Sequence, residues 1–142
     1  MTELDTPCIG ICSTVYGDNV CRGCKRFYKE IINWNSYNDN QKDIIFSRLN
    51  NLISEVVENK ITVLDPELLR QTLDNHTIRY RTDQSPLCWA YYLLRDARNK
   101  LVHPEEAGFS LIEPYQNYKL TQLYQEIDAE LFKRAESEFN HG

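Results

Sequence analysis

The chain has 142 residues, 42% hydrophobic and 26% charged, with five Gly, five Pro and a formal net charge of -5. That length and composition fit one globular domain and exclude collagen-like, low-complexity and disordered polymers. No apolar run approaches the ~18–20 residues of a membrane span, and the opening MTELDTPC lacks the apolar stretch of a signal peptide, so the expectation is a cytoplasmic protein without membrane association.

Residues 7–25, PCIGICSTVYGDNVCRGCK, have neither helical nor strand period and contain Gly10, Gly17 and Gly23; they read as an irregular knot. A short helix over about 26–34 follows, with Phe27, Ile31 and Trp34 at i, i+4 and i+7. Asn35 to Asn38 break it, and Asn38 or Asp39 can cap the next helix. That helix, about 39–58, carries Ile45, Leu49, Leu52, Ile53, Val56 and Val57 at spacings of one, three and four. Asp65-Pro66-Glu67 is a helix start, with an acceptor cap, a proline in the first turn and then an acid. Leu68, Leu69 and Leu73 carry the helix to about residue 74.

Residues 75–85 read as a loop. Ser85-Pro86 opens a helix over about 86–101, with Leu87, Ala90, Leu94 and Leu101 on one side. Pro104 ends it, because proline disfavours helix in the residue before it. After a loop over 104–117, a last amphipathic helix is expected over about 118–139, with Leu120, Leu123, Ile127, Leu131 and Phe132 inward. No internal repeat is visible, and no stretch alternates long enough to predict a sheet. The fold class expected is mainly α, an N-terminal cysteine-rich metal-binding knot followed by a small bundle of about four to five helices. Residues 1–60 form the cysteine module with its helical hairpin, and residues 61–142 a helical extension packed on it as one compact unit.

Four of the five cysteines fall in the first 24 residues, spaced Cys8-x3-Cys12, eight residues, Cys21-x2-Cys24. A tetrahedral four-sulfur site needs such a pattern, each tight turn supplying two thiolates and the loop joining the pairs. Cysteines scattered on apolar faces would not pair in a Gly-rich loop, and a disulfide framework belongs to an oxidising compartment; reversible disulfides are the remaining alternative. Gly10 and Gly23 are expected to let backbone N–H groups point at sulfur. Arg22, Lys25, Arg26 and Lys29 offset the charge of about -2 that four thiolates leave around a divalent ion. The spacing favours one zinc ion, since it matches neither common ferredoxin pattern.

Pro7-Cys8-Ile9-Gly10-Ile11-Cys12, Cys21-Arg22-Gly23-Cys24-Lys25-Arg26, Glu30-Ile31, Trp34 and Arg48-Leu49 resemble a bacterial family, domain of unknown function 1289, whose members are labelled predicted iron–sulfur proteins. The resemblance covers about a third of the chain. It implies a small cysteine-ligated metal module packed on a helical hairpin, and its label implies an iron–sulfur cluster as the cofactor. It carries no established activity.

Arg98-Asn99-Lys100-Leu101-Val102-His103 resembles the R-N-x3-H signature of the HEPN superfamily of helical ribonucleases. The resemblance implies an alternative in which His103 takes a 2′-hydroxyl proton and Arg98 steadies the phosphorane, without metal. Against it, residues 104–142 carry a net charge of -5, residues 61–103 +1 and residues 1–60 -1. The sequence pI is about 5.2, whereas nucleic-acid footprints usually come with a pI above about 9. Phe27 and Tyr28 interleave the basic residues of the knot in a way that suits base stacking, but charge balance for thiolates explains the same residues. Trp34 is expected to close the knot against the helix at 39–58, and Cys88 to be buried.

The residues thus favour a four-cysteine metal-binding protein whose role is structural or as an interaction module for a protein partner, rather than an enzyme. An electron-transfer or cluster-carrying protein and the Arg98/His103 ribonuclease are the alternatives.

Overall fold

The computed structural model describes residues 5–10 and 12–141; Ile11 of the cysteine segment and the side chain of His141 lie outside the described residues. Five α-helices form the body among them: α1 Tyr28–Ile32, α2 Asp39–Val57, α3 Pro66–Asn75, α4 Pro86–Ala97 and α5 Leu120–His141. The helix starts follow local chemistry. Asn38 caps α2: its side chain accepts from Gln41 N–H at 2.8 Å, and the Gln41 side chain accepts from Asn38 N–H at 2.9 Å. The Asp65 side chain caps α3 by accepting from Glu67 and Leu68 N–H, and Ser85 caps α4.

Two expectations are corrected. The chain contains a small sheet, β1 Ile61–Val63 paired antiparallel with β2 Phe109–Leu111, in the register Ile61 to Leu111 and Val63 to Phe109. Three-residue strands are too short to display a period of two, and their pairing is made by segments far apart in sequence. The helix expected to reach residue 101 stops at Ala97 and continues as a 3₁₀ turn, Arg98–Lys100. Nor does α4 present one apolar side. Cys88, Trp89, Ala90, Tyr91, Tyr92, Leu93, Leu94 and Ala97 are all buried, the pattern of a helix enclosed on every side. It is the central element, packed against α2, α3, α5 and β1.

One continuous apolar core gathers Val20 from the cysteine segment, Leu52, Val56 and Val57 from α2, Leu69 and Leu73 from α3, most of α4, Phe109 from β2, and Leu123, Ile127 and Leu131 from α5. A satellite cluster of Trp34, Ile45, Phe46 and Leu49 sits where the segment after α1 meets α2, which is the role expected for Trp34.

Gly108 is the tight point of the sheet. Its φ is +94°, and a Cβ there would lie 2.5 Å from the Asp65 carbonyl oxygen. Its own carbonyl accepts from Leu64 and Asp65 N–H, locking β2 to the start of α3. Gly108→Ala is expected to cost roughly 2–3 kcal/mol, combining a left-handed backbone with a clash against main chain that cannot swing away. Urea unfolding of the variant checks this; an unchanged midpoint would show that the α3 entrance yields freely.

Candidate metal centre

The second cysteine pair lies at the tip of a short hairpin. Val20 and Phe27 form an isolated antiparallel bridge, Cys21 N–H donates to Arg26 C=O at 2.9 Å, and Lys25 N–H donates to Cys21 C=O at 2.8 Å. Cys21 and Cys24 both point into the protein and are buried. Their sulfurs are hydrogen-bonded to each other, and the backbone N–H groups of Cys24, Ser13 and Gly23 also serve the Cys21 sulfur.

This donor set divides the two thiols. The hydrogen bond from Cys24, supported by the three backbone N–H groups, pulls the Cys21 thiol down to about 4 against the opposing effect of burial. The same sulfur–sulfur bond, and then burial, push Cys24 well above the ordinary thiol range although Arg26 opposes the shift. The two sulfurs therefore share one proton as a coupled pair.

Arg26 is only 4% exposed. Its Nε donates to the Cys24 sulfur at 3.2 Å, and its guanidinium stacks over the Trp34 ring, 4.9 Å from the centroid. Among the described residues no carboxylate forms an ion pair with it. A buried guanidinium needs a charged or polar partner nearby, and here the cysteine pair, which shares one proton, supplies it through the Cys24 sulfur. Lys25, 3% exposed, donates through Nζ to Arg22 C=O, to Gly23 C=O at 3.2 Å and to Asp128 Oδ1 at 2.7 Å. Two of the four basic residues of the segment are thus turned inward, where no external phosphate reaches them, and a third, Arg22, pairs with Asp18.

The first pair is placed differently. Cys8 is exposed, its sulfur accepting from Gly10 N–H at 3.4 Å. The Cys12 sulfur lies 3.0 Å from Thr14 Oγ1. Among the described residues no group of three or more Cys, His, Asp or Glu is gathered closely enough to hold a metal ion. The physical difference is hydrogen bonding. Residues 19–28 close a hairpin with their own backbone, whereas Cys8 and Cys12 have only contacts local in sequence, to Gly10 N–H and Thr14 Oγ1. Ser13 links the two segments: its hydroxyl accepts from Arg22 N–H at 2.8 Å while its N–H serves Cys21. None of the five cysteines is in a disulfide.

Gly10 adopts the positive φ expected of a glycine bent around a sulfur, +88°. In the second pair that conformation belongs to Lys25, with φ +67°, and not to Gly23. The sequence offered no sign of this, because lysine rarely adopts a left-handed backbone. Glu30 and Arg48, both in the motif that carries the family resemblance, meet in a two-pronged ion pair, with Arg48 Nη2 donating to Glu30 Oε1 at 2.7 Å. The same carboxylate accepts from Phe27 N–H at 2.8 Å, so one pair fastens the hairpin and α1 to α2.

The remaining sequence candidates lie elsewhere. Cys88 is fully buried in α4, where desolvation pushes its thiol up to about 12. Arg98 and His103 both line a cleft of about 730 Å³ together with Ser110, Tyr118 and Lys119. The Arg98 guanidinium, however, is committed: Nη1 donates to Leu94 and Arg95 C=O, and the group stacks over Tyr124 at 4.4 Å.

No helix among the described residues is long and apolar enough to cross a membrane. No curated protein and no solved structure matches the chain. Residues 6–52 match the family described as "Protein of unknown function (DUF1289)", so the segment holding all four paired cysteines and the Glu30–Arg48 pair matches the family that its motifs resemble.

Proposed function

We propose that the chain binds one metal centre through Cys8, Cys12, Cys21 and Cys24, and that the centre is structural, holding residues 7–28 as an interaction module for a protein partner on a self-supporting helical body. The observation that supports this most strongly is the environment of the Cys21 sulfur. Three backbone N–H groups and the Cys24 thiol are aimed at it, a donor set suited to a thiolate, and thiolate is the ligand form of cysteine. Arg26 adds a buried positive charge beside Cys24. Cys8 and Cys12 would supply the remaining two sulfurs, and Ser13 ties their segment to the hairpin. A bound zinc ion would cross-link two segments too short to bury a core of their own; an iron–sulfur cluster would add one-electron chemistry at the same ligands.

Elemental analysis and the absorption spectrum of protein purified without oxygen test the reading. A colourless protein with one zinc per chain supports it as stated. A brown protein absorbing near ~400 nm keeps the ligand set and replaces the structural ion with a cluster. Metal-free protein after anaerobic purification and reconstitution overturns it.

Chelation should act locally, since metal binding supplies folding free energy to the segment it crosslinks. Residues 7–28 are expected to lose amide protection on chelation while α2 and α5 keep theirs, with most far-ultraviolet circular dichroism retained. Loss of the whole helical signal would show that the body depends on the metal.

A further inference from the structure

Lys25 is an unusual residue for its place. It adopts a left-handed backbone, where glycine costs least and any side chain is penalised. Its long side chain is nevertheless almost wholly buried, and its ammonium folds back over its own turn. The partners it selects are the carbonyls of Arg22 and Gly23. A trans peptide directs its C=O and its N–H to opposite sides. The N–H groups sharing those two peptide units belong to Gly23 and Cys24, and both serve the Cys21 sulfur. The ammonium therefore sits behind the very peptides that form the sulfur's cradle. Asp128 of α5 holds Lys25 Nζ at 2.7 Å, and the same Oδ1 accepts from Tyr91 OH of α4 at 2.9 Å. A chain of contacts thus runs from the helical core, through Tyr91, Asp128 and Lys25, to the sulfur.

Resting on the metal-binding reading above, we propose that Lys25 is a positioning residue of the centre: held by Asp128 and Tyr91, it fixes and polarises the Arg22–Gly23 and Gly23–Cys24 peptides so that their N–H groups support the Cys21 ligand. It touches no metal. Its positive charge draws electron density toward the two carbonyls, which makes the opposed N–H groups stronger donors. It also brings a buried cation close to a site that gathers thiolate charge.

Lys25→Gly separates this role from a backbone effect, because glycine relieves the left-handed conformation while removing the side chain with its ammonium. Asp128→Asn keeps Lys25 and removes the carboxylate that holds it. Two readouts are needed on the full-length protein. The first is Zn(II) affinity by competition with a chromophoric chelator. The second is amide exchange in metal-free protein at Gly23 and Cys24, relative to Leu93 and Leu94 in the core of α4.

The expected result is Zn(II) affinity lowered 10–100-fold in Lys25→Gly, as is usual when a ligand loses its outer-shell support, with a smaller loss in Asp128→Asn. Exchange at Gly23 and Cys24 should rise at least tenfold while Leu93 and Leu94 are unmoved. A purely structural ion pair would instead shift all four amides together, and that result overturns the proposal. So does unchanged or tighter Zn(II) binding in Lys25→Gly. If the native chain binds no Zn(II), the metal reading falls and the proposal with it, whereas the exchange pattern still reports whether Lys25 orders the two peptides.

Discussion

Cys21→Ser combined with Cys24→Ser is expected to strip most of the bound zinc or iron from the purified protein. Serine cannot supply a thiolate, and these two sulfurs are the buried half of the proposed ligand set, hydrogen-bonded to each other. Losing them removes half of the proposed ligands, and the cradle of N–H groups would then face neutral hydroxyls. The loss should approach completeness, because two sulfurs cannot make a closed tetrahedral structural site. Cys8→Ser removes one exposed ligand and should lower metal content less. Cys88→Ser is the internal control. It lies within α4 in the apolar core, and its replacement should leave the metal-to-protein ratio unchanged. Inductively coupled plasma analysis of the three variants reads all of this directly. A stoichiometric metal ion retained by the double variant would remove the cysteine assignment.

Phe109→Ala carries the largest expected loss of stability. Phe109 is fully buried on β2 and belongs to the main core, and its strand position opposite Val63 keeps the sheet from moving inward to refill the space. Truncating a buried phenylalanine typically costs about 3–5 kcal/mol, a transfer contribution plus that of the cavity left behind. Against a total stability of about 5–15 kcal/mol for a domain, this is a large share. Val102→Ala, at a residue 81% exposed, should stay within about 0.5 kcal/mol of the native chain. Urea titration followed by circular dichroism compares the three proteins. A Phe109→Ala cost under about 1 kcal/mol would mean that β2 relaxes and that the sheet is not a rigid part of the core.

The cysteine pattern was readable because metal ligation depends on residue type and local spacing, and both are written along the chain. Its electrostatics were not. The unequal thiols of Cys21 and Cys24 follow from which backbone N–H groups face which sulfur, and one of those comes from Ser13 in another segment. The burial of Lys25 and Arg26 was equally hidden, because a run of basic residues ordinarily reads as a solvated face. Asp128 lies 103 residues from Lys25, a separation that no local pattern spans.

By itself the sequence determined the helices and their caps. Asn38, Asp65 and Ser85 act through hydrogen bonds to residues two or three positions away, so their effect is local. It also determined the apolar faces of α2 and α5, where periodicity and burial agree, and the matching of residues 6–52 to a cysteine-bearing family. Tertiary structure decided the rest. The β1–β2 pair exists because the ends of α2 and the loop before α5 are brought together, not because its residues alternate. The enclosure of α4 was decided by neighbours on every side, which satisfy the hydroxyls of Tyr91 and Tyr92 through Asp128 and Gln84. Only folding could seat a lysine behind the peptides of Cys21-Arg22-Gly23-Cys24, because the carboxylate that holds it belongs to the last helix of the chain.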